Sequence, residues 1–257
     1  MEPVKISATV LTLNEAHNIR DCVESLRPVA DEILVVDSFS TDGTEAICRE
    51  LGVRFLQHAF EGFIEQRRYA AEMAAHDIIL AVEADERVTP ELAHAILEAK
   101  GNWSANGYTF NRLNNYGGKW LRYAWYPDRK LRLWDRRRGE VKGANPHDQI
   151  VVEGEPRQLR GDLLHYAYVH IGEHAAQAAK FSRTAALAKF KARPEKRAGF
   201  WPKVVLNPCF TFIKLYVLKR GFLDGKHGLI YCALAAYINF LKYAQLWELQ
   251  KKRSSNQ

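Results

Sequence analysis

The chain has 257 residues, 47% of them hydrophobic, which suffices for one large domain with a sizeable core or one domain with an appended segment. Four scattered cysteines (Cys22, Cys48, Cys209, Cys232) with no CxxC pair argue against a disulfide framework or a zinc site, and read as reduced, mostly buried thiols of a cytosolic protein. The net charge of +7 conceals a split: residues 1–179 carry 21 Lys and Arg against 27 Asp and Glu, a net −6, whereas residues 180–257 carry 16 against 3, a net +13. A tail of that charge calls for an anionic partner, nucleic acid or an anionic membrane surface.

The first apolar run, Ile6–Leu13, is too short for a signal peptide and stops at Asn14-Glu15, so Lys5–Leu13 is a strand. Ile19, Cys22, Val23 and Leu26 fall at helical spacing, giving a helix over Glu15–Leu26 that Pro28 ends. Glu32–Val36 is a second strand ending at Asp37, followed by the polar turn Ser38–Thr44 and a helix over Thr44–Leu51 with Gly52 as its stop. Val53–Leu56 is a short strand and Phe63–Ala75 a helix. Ile78–Val82 is five apolar residues without a break, the mark of a strand buried on both faces, and Glu83, Asp85 and Glu86 follow at its end. Thr89-Pro90-Glu91 opens the next helix, with Thr as N-cap and Pro at the first position. Four strands alternating with helices predict a parallel sheet with right-handed crossovers. With neither GxGxxG after the first strand nor GxxxxGK[ST] anywhere, the chain is neither a plain dinucleotide fold nor a P-loop enzyme.

Between Asn102 and Tyr168 aromatic residues and arginines crowd together; Gly107–Leu113 and Lys130–Trp134 read as strands of a mixed sheet, with turns at Gly117-Gly118 and Gly139. Glu173–Lys191 is helical. Beyond Pro194 lie two apolar segments, Val204–Leu218 (interrupted by Pro208 and Lys214) and Leu229–Leu241, each short of the ~20 residues that cross a bilayer. Lysines flank them and aromatic residues stud them, as in a segment lying on a membrane surface, although core helices with a solvated basic face or an oligomer contact have the same composition. The expected division is a catalytic domain over 1–192, with a nucleotide-binding half (1–100) and an acceptor-binding half (101–192), followed by a basic helical tail over 193–257.

Three loops leave the carboxyl ends of strands with acids or amides at the tip, the position at which open α/β sheets bind ligands. They carry Thr12, Asn14 and Glu15; Asp37 and Ser38 through Asp42; and Glu83 through Glu86. With Gln66-Arg67, Trp125-Tyr126-Pro127-Asp128, Arg132-Leu133-Trp134, His147-Asp148 and Lys219–Gly225, these stretches resemble the family 2 glycosyltransferases of the GT-A fold. They are most similar to the bacterial lipopolysaccharide inner-core glucosyltransferases.

The resemblance implies an inverting transfer of a hexose, glucose, from a UDP-sugar to a lipid-linked core oligosaccharide at the cytoplasmic face of the inner membrane. It implies that Thr12, Asn14, Glu15, Asp37, Ser38, Gln66, Arg67, Glu83, Ala84, Arg129 and Arg132 serve the nucleotide-sugar. Asp85, with His165, would hold Mg2+ or Mn2+. Here the sequence departs from the family, which commonly has Asp at the place of Glu83; the longer arm of Glu83 would reach the ribose or a metal-bound water rather than the metal itself. Asp148 would be the general base, with His147 orienting it; the related enzymes have His-Glu at this place. The residues themselves leave other roles open: Asp37 as a turn acid, Glu15 as a first-turn acid, Arg67 as a surface arginine, Asn145–Asp148 as a turn and His165 as a structural histidine. A transferase with a protein or capsule-lipid acceptor, and a non-catalytic module binding an anionic partner through its tail, are the alternative functions. No nucleic-acid motif is present.

Overall fold

The computed structural model describes residues 2–144, 147–192 and 200–255, apart from the side chains of 144, 147 and 253–255. Four parallel strands, β1 (Ile6–Thr12), β2 (Glu32–Asp37), β3 (Arg54–Gln57) and β4 (Ile78–Glu83), alternate with α1 (Ile19–Leu26), α2 (Thr44–Glu50) and α3 (Phe63–Met73). Then come β5 (Glu86–Val88), α4 (Pro90–Gly101), β6 (Gly107–Tyr116), β7 (Lys119–Leu121), β8 (Asp128–Asp135), β9 (Gly139–Ala144), β10 (His147–Val152) and β11 (Arg157–Tyr168). The main sheet runs β3-β2-β1-β4-β8-β6-β11-β5, with β7 on β6, while β9 and β10 form a separate antiparallel pair. It is parallel from β3 to β4 and antiparallel at β4–β8, β8–β6 and β11–β5.

The apolar run of β4 divides between two cores by strand parity. Ile78, Leu80 and Val82 join α1 (Ile19, Cys22, Val23, Leu26) and α4 (Leu92, Ile96) on one face. Ile79 and Ala81 join Ile64 and Ala71 of α3, with Trp134, on the other. Glu83 has the parity of Ile79 and Ala81, and that sends its side chain towards α3. Thr89 caps α4 as expected, its Oγ1 accepting from Leu92 N at 3.2 Å.

Four expectations shift. The first helix starts at Ile19, not Glu15: Asn14 is held at φ 56°, and residues 15–18 form a turn closed by Asn18 N donating to Glu15 O at 2.9 Å. The strand β5, three residues long, lies within the acidic stretch and escaped the periodicity reading. Gly139 begins β9 after the turn, where a Cβ would lie 2.8 Å from Val151 O. Asp148 belongs to β10, paired with Gly143, and not to a turn; Asn145 and Pro146 lie outside the described residues.

The chain divides into two compact units, residues 1–112 with 128–165, and residues 113–127 with 166–257. The second unit thus contains the tail and also the aromatic segment 113–127 and α5 (Ile171–Ala192). Its helices include a run from Phe200 to Leu218, with α6 (Asn207–Ile213) at its centre, and α7 (Gly225–Ser255). The segment Leu229–Leu241 lies inside α7, 31 residues long, and the helical stretch Gly221–Lys252 is long and apolar enough to cross a membrane by length and composition.

The Lys219–Gly225 motif closes the second unit. Buried Asp224 accepts three backbone N–H groups, from Arg122 (2.9 Å), Tyr123 (3.1 Å) and Ala124 (2.8 Å). Gly221 and Gly228 have no room for a Cβ, which would lie 2.7 Å from Leu215 O and 2.1 Å from Gly221 O. Asp224→Ala strands three donors, each costing roughly 1–3 kcal/mol when buried. We expect a loss on the order of 4 kcal/mol in denaturant titration, with Asp224→Asn recovering part of it.

Tyr116, Tyr168, His174 and Tyr231 form a ring cluster in the same unit, and Tyr116 Oη lies 3.0 Å from His174 Nδ1. Burial lowers the His174 imidazole below its ordinary value. The unfolded chain therefore takes up the proton first, so stability falls as pH drops below about 6.5, by at most ~1.4 kcal/mol per unit from this residue. In His174→Phe the stability measured between pH 7 and 5 should be flatter than in the wild type by that slope.

Candidate active site

The site lies entirely within the first unit, where β1, β2 and β4 end side by side. Their ends are pinned by Ser38 N donating to Thr12 O (2.9 Å) and Ala84 N donating to Leu11 O (3.0 Å). Fully buried Asp37 organises the loop after β2: one carboxylate oxygen accepts from Ser40 Oγ, the other from Ser40 N (2.8 Å) and Gln57 Nε2 (3.4 Å). Asn14 ties this loop to the first, donating its N–H to Ser40 Oγ (2.7 Å) and accepting Thr41 N at Oδ1 (2.8 Å). Glu15 N donates to Thr44 Oγ1 at 2.9 Å. Between the loops Phe39 is held at φ 62° with its ring 55% exposed. Left-handed backbone costs a non-glycine residue about 1–2 kcal/mol, and the Asp37–Ser40 bonds sustain it. Gln66, fully buried on α3, reaches the same loop through Ser38 Oγ (3.1 Å) and anchors His58, whose Nδ1 lies 2.8 Å from Gln66 Oε1 and whose ring stacks on Tyr69.

Beside these loops a buried carboxylate–guanidinium network runs across the sheet. Arg67 of α3 donates from Nη2 to Glu83 and from Nε to Asp148. Arg132 of β8 donates from Nη2 to Glu83 Oε1 (3.0 Å) and Glu86 Oε1 (3.3 Å). Arg112 of β6 pairs with Glu86 (3.2 Å) and Asp128 (2.9 Å). Glu86 is fully buried and also receives Glu83 N at 2.9 Å. Burial raises the Glu83 carboxyl, but Arg132 and Arg67 outweigh it, aided by Arg112 and His165, and hold it well below the usual carboxylate range. Burial likewise works against the Arg132 charge, and Glu86 and Glu83 more than compensate, so that guanidinium is held charged. Arg67 is therefore a partner of two carboxylates, with only Nη1 lacking a hydrogen bond, rather than a surface arginine.

Asp85 sits in the turn between β4 and β5. The β5–β11 register sets His165 opposite Glu86, bringing His165 Nε2 within 3.3 Å of Asp85 Oδ2. Glu83, Asp85 and His165 offer ligand atoms all within 4.8 Å of one another. Asp85 Oδ1 is buried without a hydrogen-bond partner. An octahedral Mg2+ or Mn2+ with ligands at about 2.1 Å places neighbouring ligands about 3.0 Å apart. The Asp85–His165 spacing and the unspent oxygen fit such an ion. Glu83 fits less well, because Arg67 and Arg132 already share its Oε1. Glu15 faces the same space: burial raises its carboxyl, a hydrogen bond from Asn18 opposes this, and the charge of Asp85 adds to it.

The structure thus gathers Thr12, Asn14, Glu15, Asp37, Ser38, Gln66, Arg67, Glu83, Ala84, Asp85, Arg132, Asp148 and His165 around the carboxyl ends of β1, β2 and β4. Arg129 is exposed on β8, outside the network. The His147 side chain is outside the described residues. Sequence reading missed Arg112 and the structural role of Glu86. The available signal was strand parity: Arg112 falls on the face of Tyr108 and Phe110, with polar Thr109 and Asn111 on the other, and an arginine on an apolar face needs an acid.

The fold and these strand-end acids define an α/β protein whose candidate site lies at the carboxyl ends of a parallel sheet. The family described as glycosyl transferase family 2 matches residues 7–151, more than half of the chain, and the chain belongs to this family, with its GT-A fold. It is 29% identical to the lipopolysaccharide core biosynthesis glycosyltransferase LpsC of Rhizobium meliloti, over 95% of this chain and 92% of that one. It is 27% identical to an uncharacterized glycosyltransferase of Rickettsia typhi, over 96% of this chain and 88% of that one. Among solved structures, glucosyl-3-phosphoglycerate synthase from Mycobacterium tuberculosis, in complex with Mn2+ and UDP-glucose, is similar at 21% identity over 44% of each chain with a TM-score of 0.37.

Proposed function

We propose that the protein is an inverting, metal-dependent transferase that moves a hexose from a UDP-sugar to a lipopolysaccharide core acceptor at the cytoplasmic face of the inner membrane. The observation that carries this reading is Asp85, whose buried, unpartnered oxygen sits with His165 at the end of β4 beside the Asp37 loop. The full-length similarity to LpsC supports the acceptor class. The loops after β1 and β2 would hold the nucleoside, with Asp37 and Glu15 facing it. A divalent cation bound by Asp85 and His165 would supply Lewis-acid neutralisation of the diphosphate leaving group. Asp148, held by Arg67, takes the proton of the acceptor hydroxyl as that oxygen attacks the anomeric carbon; the bond from that carbon to the diphosphate oxygen breaks, and the configuration inverts.

The test is calorimetric titration of UDP-glucose, UDP-galactose and ADP-heptose with and without Mn2+ or Mg2+, followed by transfer to core oligosaccharide and determination of the product anomer. Metal-dependent binding of one UDP-sugar and an inverted product are expected. If no sugar nucleotide binds, the reading fails. Asp148→Asn should lower kcat by about 10²–10⁴-fold, as loss of a general base does, with donor affinity unchanged.

A further inference from the structure

The helical run 200–218 in the second unit is apolar on two faces, and among the described residues only one of them is covered. It is π-helical over Phe200–Leu206, α-helical over α6 and π-helical again over Lys214–Leu218. Val204, Pro208 and Thr211 face inward, where Val204 packs with Ala186, Tyr243 and Leu246, and Asn239 of α7 donates to Thr211 Oγ1 (2.6 Å) and Asn207 Oδ1 (3.3 Å). The other face presents Leu206, Phe210, Ile213 and Val217 at helical spacing, 62%, 58%, 49% and 51% exposed. Trp201, five residues before Leu206 and so about one π-turn away, is 70% exposed, and Leu218 67%. Scattered exposed apolar residues need no explanation, but an aligned stripe of this length marks an interaction surface.

Its charge identifies the occupant. Residues 200–255 contain nine Lys and Arg against two acids, Asp224 and Glu248. Asp224 is spent on backbone N–H groups, and Glu248 pairs with Lys252 at 2.7 Å. Lys203 and Lys214 lie on the run itself, and Lys219 and Arg220 follow it directly. Two copies of so basic a surface repel each other, whereas an anionic bilayer attracts both the charges and the stripe. With Lys203, Asn207 and Lys214 inside it, the run lies along the interface rather than across the hydrocarbon.

We infer that the stripe Leu206–Phe210–Ile213–Val217, framed by these basic residues, is a docking surface for an anionic lipid bilayer. This deepens the membrane location within the proposed function and rests on that reading for what the docking serves. Flotation with vesicles of phosphatidylcholine containing 30% phosphatidylglycerol, or none, tests it on the full chain. The wild type should bind the anionic vesicles, lose binding as salt rises, and bind neutral vesicles weakly. Phe210→Asp with Val217→Asp should cut partitioning on the order of 10-fold or more, and Lys214→Glu with Lys219→Glu about as far, since each basic residue contributes about fivefold near such a surface. Circular dichroism and UDP-sugar titration on the same variants should match the wild type. Vesicle binding unaffected by the Asp pair overturns the proposal. So does a wild type that ignores vesicles but sediments as a dimer dissolved by Phe210→Asp, which would make the occupant a second copy. A wild type that docks on vesicles yet binds no sugar nucleotide sinks the transferase reading and leaves the surface standing.

Discussion

Mn2+ with a UDP-sugar should raise the Tm of the wild type, and Asp85→Ala should remove that rise while leaving Tm without metal equal or higher. The two halves have separate causes. Asp85 Oδ1 is buried with no hydrogen bond, and an unsatisfied buried acceptor costs roughly 1–3 kcal/mol. Removing it relieves the apo fold, offset by loss of the His165 contact at 3.3 Å. A ligand at 100 times its Kd stabilises the folded state by about 2.7 kcal/mol, and loss of a cation ligand should weaken metal-dependent donor binding about 100-fold, equivalent to ~2.7 kcal/mol. Thermal scans with and without Mn2+ and donor read both effects. A purely structural Asp85 would give the reverse pattern: a lower apo Tm and an undiminished ligand shift.

Arg132→Met should destabilise the first unit by about 3–5 kcal/mol, the cost of breaking a buried ion pair by removing one partner. Glu86 is fully buried, and Arg132 is one of its two guanidinium partners; Glu83 is held by both Arg132 and Arg67. The loss exceeds the worth of the pair because buried Glu86 keeps only Arg112 and Glu83 keeps only Arg67. Adding Glu83→Gln should therefore recover part of it, and a double-mutant cycle would measure the coupling. The pH dependence follows with a definite sign. Glu83 is held well below its ordinary value in the fold, so its stabilising contribution is present above about pH 4.5 and is lost as pH falls towards the folded value. Without Arg132 that depression shrinks, and acid unfolding should begin at a higher pH. Identical acid midpoints for wild type and variant would remove the network from the account.

The site has a division of labour that residue types alone do not express. Glu83 and Asp85 are two residues apart, yet Glu83 is drawn into the guanidinium network while Asp85 keeps an unspent oxygen. Strand parity separates them: Glu83 continues the α3 face of β4 and meets Arg67, whereas Asp85 lies in the turn beyond and meets His165 of β11. The proposed base and the donor-side acid are likewise joined through one side chain, Arg67, so a change at position 67 should disturb both.

By itself the sequence determined the alternation of β1 to β4 with α1 to α3, because uninterrupted apolar runs and 3.6-residue spacing are local signals. It also determined the strand-end acids, which stand where those runs stop, and the Thr89-Pro90 helix start. Tertiary structure decided what periodicity cannot carry. The three residues of β5 are strand only because β11 pairs with them, and that pairing alone brings His165 to Asp85, 80 residues earlier in the chain. Strand parity marks Arg112 but not its partners, and Arg132 is legible as an arginine but not as a buried one, since both depend on acids arriving from β4, β5 and β8. The Lys219–Gly225 motif reads as part of a family pattern, yet its work is to capture the N–H groups of residues 122–124, a contact across some hundred residues that folding alone creates. Local patterns place the elements; contacts between residues distant in sequence give each side chain its charge partner and its role.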